Sequence, residues 1–240
     1  MTNFNIKTVN YDQFIKEFSH SDQEGKAGMV RVTYATGQTE VVQAKVFIDR
    51  NFQRLFCWNR ARRRAFLRAI LKKRSGAPIT IACIESCITH SELVGDQYST
   101  TNLKELLSWG YKYISLDGQN RALTAQEFAE EGSELTITNT THVCTATKTN
   151  QDLENKLLKD FPPSVKADFL TGTKIPVNIY TGYTYSELAQ EFRDLNSSEQ
   201  LNQMEWRNSY QSYIAKWIRQ QAKTHKQLFE KINTKNKLED

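Results

Sequence analysis

The stretch Ile114-Ser-Leu-Asp-Gly-Gln-Asn-Arg-Ala-Leu-Thr124 sets an acid, a glycine, two amides and an arginine between an apolar run and a helix-like segment. An Asp-Gly turn accounts for two of those residues and leaves Gln119, Asn120 and Arg121 unexplained. Gly118 permits close approach of backbone to a ligand, and Arg121 can clamp a phosphate with two parallel hydrogen bonds. Asp117 is a hard oxygen donor and a base, able to hold a divalent ion or orient a water. Free N–H groups at a helix start favour an anion. The local chemistry suits phosphate handling. The plainer alternative is a turn followed by a surface amide pair. No G-x4-G-K-[ST] motif occurs, so the segment is not a P-loop.

A second candidate lies upstream. Between Arg50 and Arg74 there are ten Lys or Arg and no Asp or Glu, in a chain whose net charge is only +5. Solvated helix faces usually mix signs, so a one-sign block favours a polyanion. Within it, Asn59 caps a predicted helix on which Phe66, Leu67, Ile70 and Leu71 share one face. Arg64, Arg68 and Lys72 line one flank, and Arg62 and Lys73 the other. Arg63 projects toward the apolar face, where a lone charge is costly; it must pair with an acid or reach an anionic ligand.

Four cysteines in 240 residues do not make a disulfide scaffold. Cys83-x3-Cys87-x2-His90, with His142 and Cys144 downstream, offers soft ligands, but the spacing fits no strong zinc signature. Cys83 also falls in the apolar run Pro78–Ile84, where a cysteine acts as a small core residue, so no metal site is assigned.

These residues need elements to position them. The alternating segment 29–46, broken at Thr36-Gly37-Gln38, predicts a β-hairpin. A short helix is expected in the otherwise polar residues 1–27, and buried strands over 79–84 and 111–117. A polar loop should follow the first of these, then a helix over 101–109. Further expectations are a helix over 121–132, a strand over 134–140, a helical region near 150–171 and a strand over 175–180. Thr184 and Glu187 stand in capping-box spacing at the start of another helix. From about 199 a long helix carries Trp206, Tyr210, Tyr213, Ile214 and Trp217, which pack back on the domain or form a homodimer seam. The class expected is α/β (α+β): a small mixed sheet flanked by helices, with a domain over 1–205 and a helical extension over 206–240. With 39% hydrophobic residues the chain can bury a core, and no apolar run reaches the ~20 residues of a membrane span. No secretory signal is visible, so a cytoplasmic protein is expected.

Asp117-Gly-Gln-Asn-Arg121 resembles the DGQQR motif in the N-terminal domain of GmrSD-type, modification-dependent restriction enzymes, of the ParB/sulfiredoxin-like superfamily. The segment 48–59, IDRNFQRLFCWN, is similar to that family's upstream segment, and 192–208, FRDLNSSEQLNQMEWRN, to its downstream one. The three occur in the family's order over roughly residues 46–210, about two-thirds of the chain. The resemblance implies an NTP-binding, NTP-hydrolysing module acting on DNA in restriction, defence or phage DNA metabolism, with Mg2+ an optional cofactor. Asp117, Gln119 and Arg121 would be catalytic. Arg50, Gln53, Arg54, Arg63, Gly118, Asn120 and Asn196 would bind nucleotide, with Glu205 at the rim. Arg62, Arg64, Arg68, Lys72 and Lys73 would meet DNA backbone. Asn120 departs from the family's second glutamine by one methylene, at the position that separates binding from hydrolysis. The four histidines form no HNH-type pairing, so DNA cleavage would fall to a separate nuclease subunit or a missing C-terminal nuclease domain. Two alternatives stand beside this reading: a ParB-like nuclease or phosphate-transferring DNA-modifying enzyme, and a non-catalytic DNA-binding adaptor that senses a nucleotide.

Overall fold

Apolar side chains that alternate along the central strands are drawn to two opposite faces, and helices cover both. In the computed structural model, the residues described are 3–34, 38–50, 53, 56–72, 76–130, 132–137, 141–143 and 150–195. Their elements run β1 (Asn3–Asn10), α1 (Tyr11–Phe18), β2 (His20–Ser21), β3 (Met29–Thr33), β4 (Thr39–Gln43), β5 (Val46–Phe47) and α2 (Arg60–Leu71). There follow β6 (Ile79–Cys83), α3 (Ile84–Leu93), α4 (Gln97–Ser108), β7 (Tyr113–Asp117), α5 (Gln119–Ala129), β8 (Thr141–Val143) and β9 (Asn150–Asp152). A 3-10 turn (Leu158–Asp160), α6 (Pro163–Gly172), β10 (Lys174–Thr181) and α7 (Tyr185–Leu195) complete them.

Six strands form one mixed sheet in the order β1-β10-β6-β7-β5-β2. β10 and β6 are parallel, as are β7, β5 and β2, while β1–β10 and β6–β7 are antiparallel. Ile79 and Ile81 of β6 join Val177 and Ile179 of β10 in a core with α1, α2, α5 and α6. Ala82 of β6 and Ile114 and Leu116 of β7 face the other way, into a core with α3, α4 and α7. Successive strand residues point to opposite faces, so β6 must be apolar on both. The expected mixed α/β class is what the chain adopts. β3 and β4 form the expected hairpin as a separate two-stranded sheet, pairing Met29 with Gln43 and Thr33 with Thr39. Its far end is shorter than expected, because Val46 leaves it and joins the main sheet as part of β5.

Local signals set several boundaries. Asn59 accepts the Arg62 N–H at 2.9 Å and starts α2, whose Leu67, Ile70 and Leu71 are buried. Thr184 N–H donates to Glu187 Oε2 at 2.7 Å, and Glu187 N–H to Thr184 Oγ1 at 3.2 Å, closing the capping box of α7. Four expectations fail. β1 was not anticipated, since its asparagines disfavour strand and its Phe4 and Ile6 are exposed on an edge. The polar segment after β6 is α3, held by Ile84, Cys87, Ile88 and Ser91, all buried. Of the strand expected over 134–140, residues 134–137 form no regular strand and 138–140 lie outside the described residues; Ile137 is held by backbone bonds with Lys156 and Asn155. The region 150–171 begins with β9, and its helix starts only at Pro163, which suits a first helical turn. Helix α4 begins earlier than expected, where Asp96 accepts the Ser99 N–H at 2.9 Å.

Candidate functional site at the carboxyl ends of the parallel strands

Because β2, β5 and β7 run parallel, their carboxyl ends emerge on one edge of the sheet. That edge is where α/β proteins bind ligands. Asp117 ends β7, Gly118 forms the turn and Gln119 opens α5, the strand–turn–helix junction expected from the sequence. Gly118 has φ +83°, a left-handed conformation open to glycine. A Cβ there would also lie 3.1 Å from Ile79 Cα and 2.8 Å from Arg121 Nη2. The turn is therefore pressed against the start of β6 and roofed by a guanidinium.

Arg121 donates from Nη2 to Asp117 Oδ2 at 2.9 Å and to the Pro78 carbonyl at 3.0 Å. Its Nε is buried without a hydrogen-bond partner among the described residues. Acid and arginine four residues apart thus close an ion pair across the glycine, with Arg121 the more buried of the two. Gln119 is buried, which removes it from the exposed amide pair that a plain surface turn would display.

The upstream segment reaches the same junction. Gln53, also buried, donates from Nε2 to the Ser115 carbonyl of β7, and its own N–H donates to the Asp49 carbonyl at 2.8 Å. Asn120 Oδ1 accepts the Cys57 N–H at 3.1 Å, and its Nδ2 lies 3.7 Å from Cys57 Sγ. The segments 48–59 and 115–121, some 60 residues apart, are therefore stitched together at two points.

The arginine block divides. Arg63 meets both Glu127 carboxylate oxygens at 2.5 Å and lies over the Phe56 ring at 5.6 Å. Of the two outcomes open to it, pairing with an acid is the one realised. Arg64 donates to Thr136 Oγ1, and Arg60 to the Glu134 carbonyl at 3.1 Å. Arg62 stacks on Trp58 at 5.0 Å. Arg62 and Lys72 are exposed and Arg68 is half-buried, so these three present the outward charge of α2. Arg50 donates through Nε and Nη2 to Asp22 Oδ2 at 2.9 and 2.7 Å. Arg54, Lys73, Asn196, Glu205 and the aromatic residues from Trp206 to Trp217 lie outside the described residues.

Sequence reasoning missed the partners. Asp49 is buried and accepts the Tyr185 hydroxyl through Oδ2, tying the β5 end to α7. Its only sequence signal is an acid directly after the apolar triplet Val46-Phe47-Ile48. Glu127 and Asp22 carried no signal, since nothing local shows which arginine they meet.

Two of the cysteines serve the two cores. Cys83 packs on one side of the sheet and Cys87 on the other, where burial pushes its thiol up to about 11. His90 Nε2 lies 3.7 Å from Glu187 Oε2. Among the described residues no three His, Cys, Asp or Glu side chains gather as metal ligands. Nor is any described helix long and apolar enough to cross a membrane.

Fold and site define a mixed α/β protein with a glycine turn at the carboxyl end of parallel strands. Compared with protein-family models, curated proteins and solved structures, the chain matches none of them.

Proposed function

We propose that the chain is a nucleotide-binding module that hydrolyses an NTP and acts on DNA, in the manner expected of a DGQQR-type, ParB-like domain. The observation that carries this reading is the convergence of 48–59 with the β7 end and the glycine turn, 115–121, through Gln53–Ser115 and Asn120–Cys57. Gln53 and Asn120, both expected at the nucleotide pocket, each bond across these two segments, and that supports the reading. Arg121 is the phosphate clamp, Asp117 orients water or a divalent ion, and Gln119 positions the nucleophile. A triphosphate competes with Asp117 for Arg121, so binding frees the carboxylate as it engages the guanidinium; the 2.9 Å ion pair supports such an exchange. The exposed side of α2, with Arg62, Arg68 and Lys72, meets the DNA backbone.

One observation favours the non-catalytic reading. The Asn120 amide is committed to Cys57, so it serves the scaffold where a catalytic amide would face the nucleotide. The deciding experiment is phosphate release from each NTP, with and without DNA, by wild type, Asp117→Ala and Arg121→Ala. Turnover by wild type that both variants abolish supports the hydrolase. Nucleotide binding without turnover in any condition leaves the sensor.

A further inference from the structure

A polar cavity of about 290 Å³ opens at the carboxyl ends of β2 and β5, beside α5. Its size falls at the lower end of small-molecule sites, about 300 Å³. Asp22 and His20 come from the β2 end, Arg50 from the β5 end, and Gln126 and Glu130 from α5. The wall is organised: Gln126 Oε1 accepts the His20 N–H at 2.8 Å, which turns its amide NH2 toward the Glu130 carboxyl.

The lining is rich in acceptors. The two bonds from Arg50 to Asp22 both go to Oδ2, and no hydrogen bond from a described residue reaches Oδ1. The His20 ring lies with Nδ1 2.7 Å from the Phe18 carbonyl, so Nδ1 carries the proton and Nε2 is an acceptor. That Nε2 has no partner among the described residues and is itself buried, so it is not among the acceptors a ligand reaches. Glu130 adds a half-buried carboxyl. Two acids against one arginine give a formal charge of −1, which repels a phosphate and suits a neutral donor of hydrogen bonds.

We propose that this cavity binds the ribose of a ribonucleotide, with Asp22 Oδ1 accepting from its 2′- and 3′-hydroxyls. The proposal rests on the nucleotide reading above and assigns the sugar to a place distinct from the phosphates. In dinucleotide-binding doubly-wound folds an acidic side chain reads the ribose hydroxyl in this way. The same helix serves both ends of the ligand. Gly118 precedes α5, and Leu123, which also lines the cavity, follows five residues later, about 7–8 Å along the axis.

The test is titration calorimetry of the full chain with ATP and GTP, their 2′-deoxy forms, and the four corresponding nucleosides. A hydrogen bond to a charged acceptor predicts that wild type binds a ribonucleotide about 10- to 100-fold more tightly than its 2′-deoxy form. Asp22→Asn should bring that ratio down at least about fivefold. Glu130→Gln, the cavity's other acid, should weaken ribo- and deoxy-ligands alike and keep the ratio; circular dichroism of both variants shows that they fold. Equal affinity of wild type for both sugars, or a preference that survives in folded Asp22→Asn, overturns the ribose site while leaving NTP hydrolysis standing. A ribonucleoside preference without NTP turnover keeps the ribose site and removes the hydrolase. No binding of any nucleoside or nucleotide overturns both.

Discussion

His20 should make stability fall as pH drops from 6.5 toward 4, and replacing it should flatten that fall. Its ring is fully buried, and burial lowers its pKa from 6.5 to about 4, although the bond to the Phe18 carbonyl opposes the shift. Between those two values the unfolded chain binds a proton that the folded chain refuses. The unfolded state is favoured as protons become available, so the stability is present in full above 6.5 and lost progressively down to about 4. At about 1.4 kcal/mol per pH unit the interval corresponds to a loss of about 3 kcal/mol. Urea unfolding followed by circular dichroism, in half-unit steps from pH 4 to 7.5, reads this directly. His20→Asn keeps a donor near the Nδ1 position and removes the titrating ring. Its stability at neutral pH will be lower, because the space beside Phe14 is left underfilled. The informative quantity is the difference between pH 7 and pH 4, which should shrink by about 3 kcal/mol relative to wild type. An unchanged difference would refute the assignment of His20 as a buried neutral imidazole.

Gly118→Ala combines a left-handed φ with a Cβ 3.1 Å from the Ile79 backbone, so a loss of about 2–4 kcal/mol is expected in urea unfolding. A loss below about 1 kcal/mol would mean that the turn is not pressed on β6. Asn120→Ala should cost about 1 kcal/mol through the Cys57 N–H it leaves, and Asn120→Gln should recover part of it if the longer amide still reaches. Glu127→Gln leaves Arg63, only 21% exposed in its side chain, without its charged partner; about 1–2 kcal/mol is expected from thermal or urea melts. Should DNA bind along α2, exchanging Arg62, Arg68 and Lys72 for alanine should lower the slope of log affinity against log salt by about 3. A slope that does not change would remove that face from the interface.

The junction at 114–124 was legible because each of its signals is local. An apolar run, an Asp-Gly pair and a following helix pattern need no distant partner to specify strand, turn and helix. The caps at Asn59 and Thr184 were legible for the same reason, since the atoms involved lie within three residues. β1 and α3 were not. β1 is a strand because β10 offers it an edge, and α3 a helix because the second core receives Ile84, Cys87 and Ile88. Both depend on contacts with segments far along the chain, which override weak propensity.

Charge showed the same division more sharply. Ten cations without an acid between Arg50 and Arg74 read as a binding surface from the sequence alone. In the fold, Arg50, Arg60, Arg63 and Arg64 each reach an internal acceptor, at Asp22, Glu134, Glu127 and Thr136. Sequence by itself determined the mixed α/β class, the glycine turn and the amphipathic face of α2, because hydrophobic periodicity and turn chemistry act over a few residues. Tertiary structure alone decided which charges pair and which face outward, and where Asn120 and Gln53 are anchored. Ion pairs and side-chain hydrogen bonds form between whichever groups the packed elements bring within about 3 Å, and that distance is set by the whole fold.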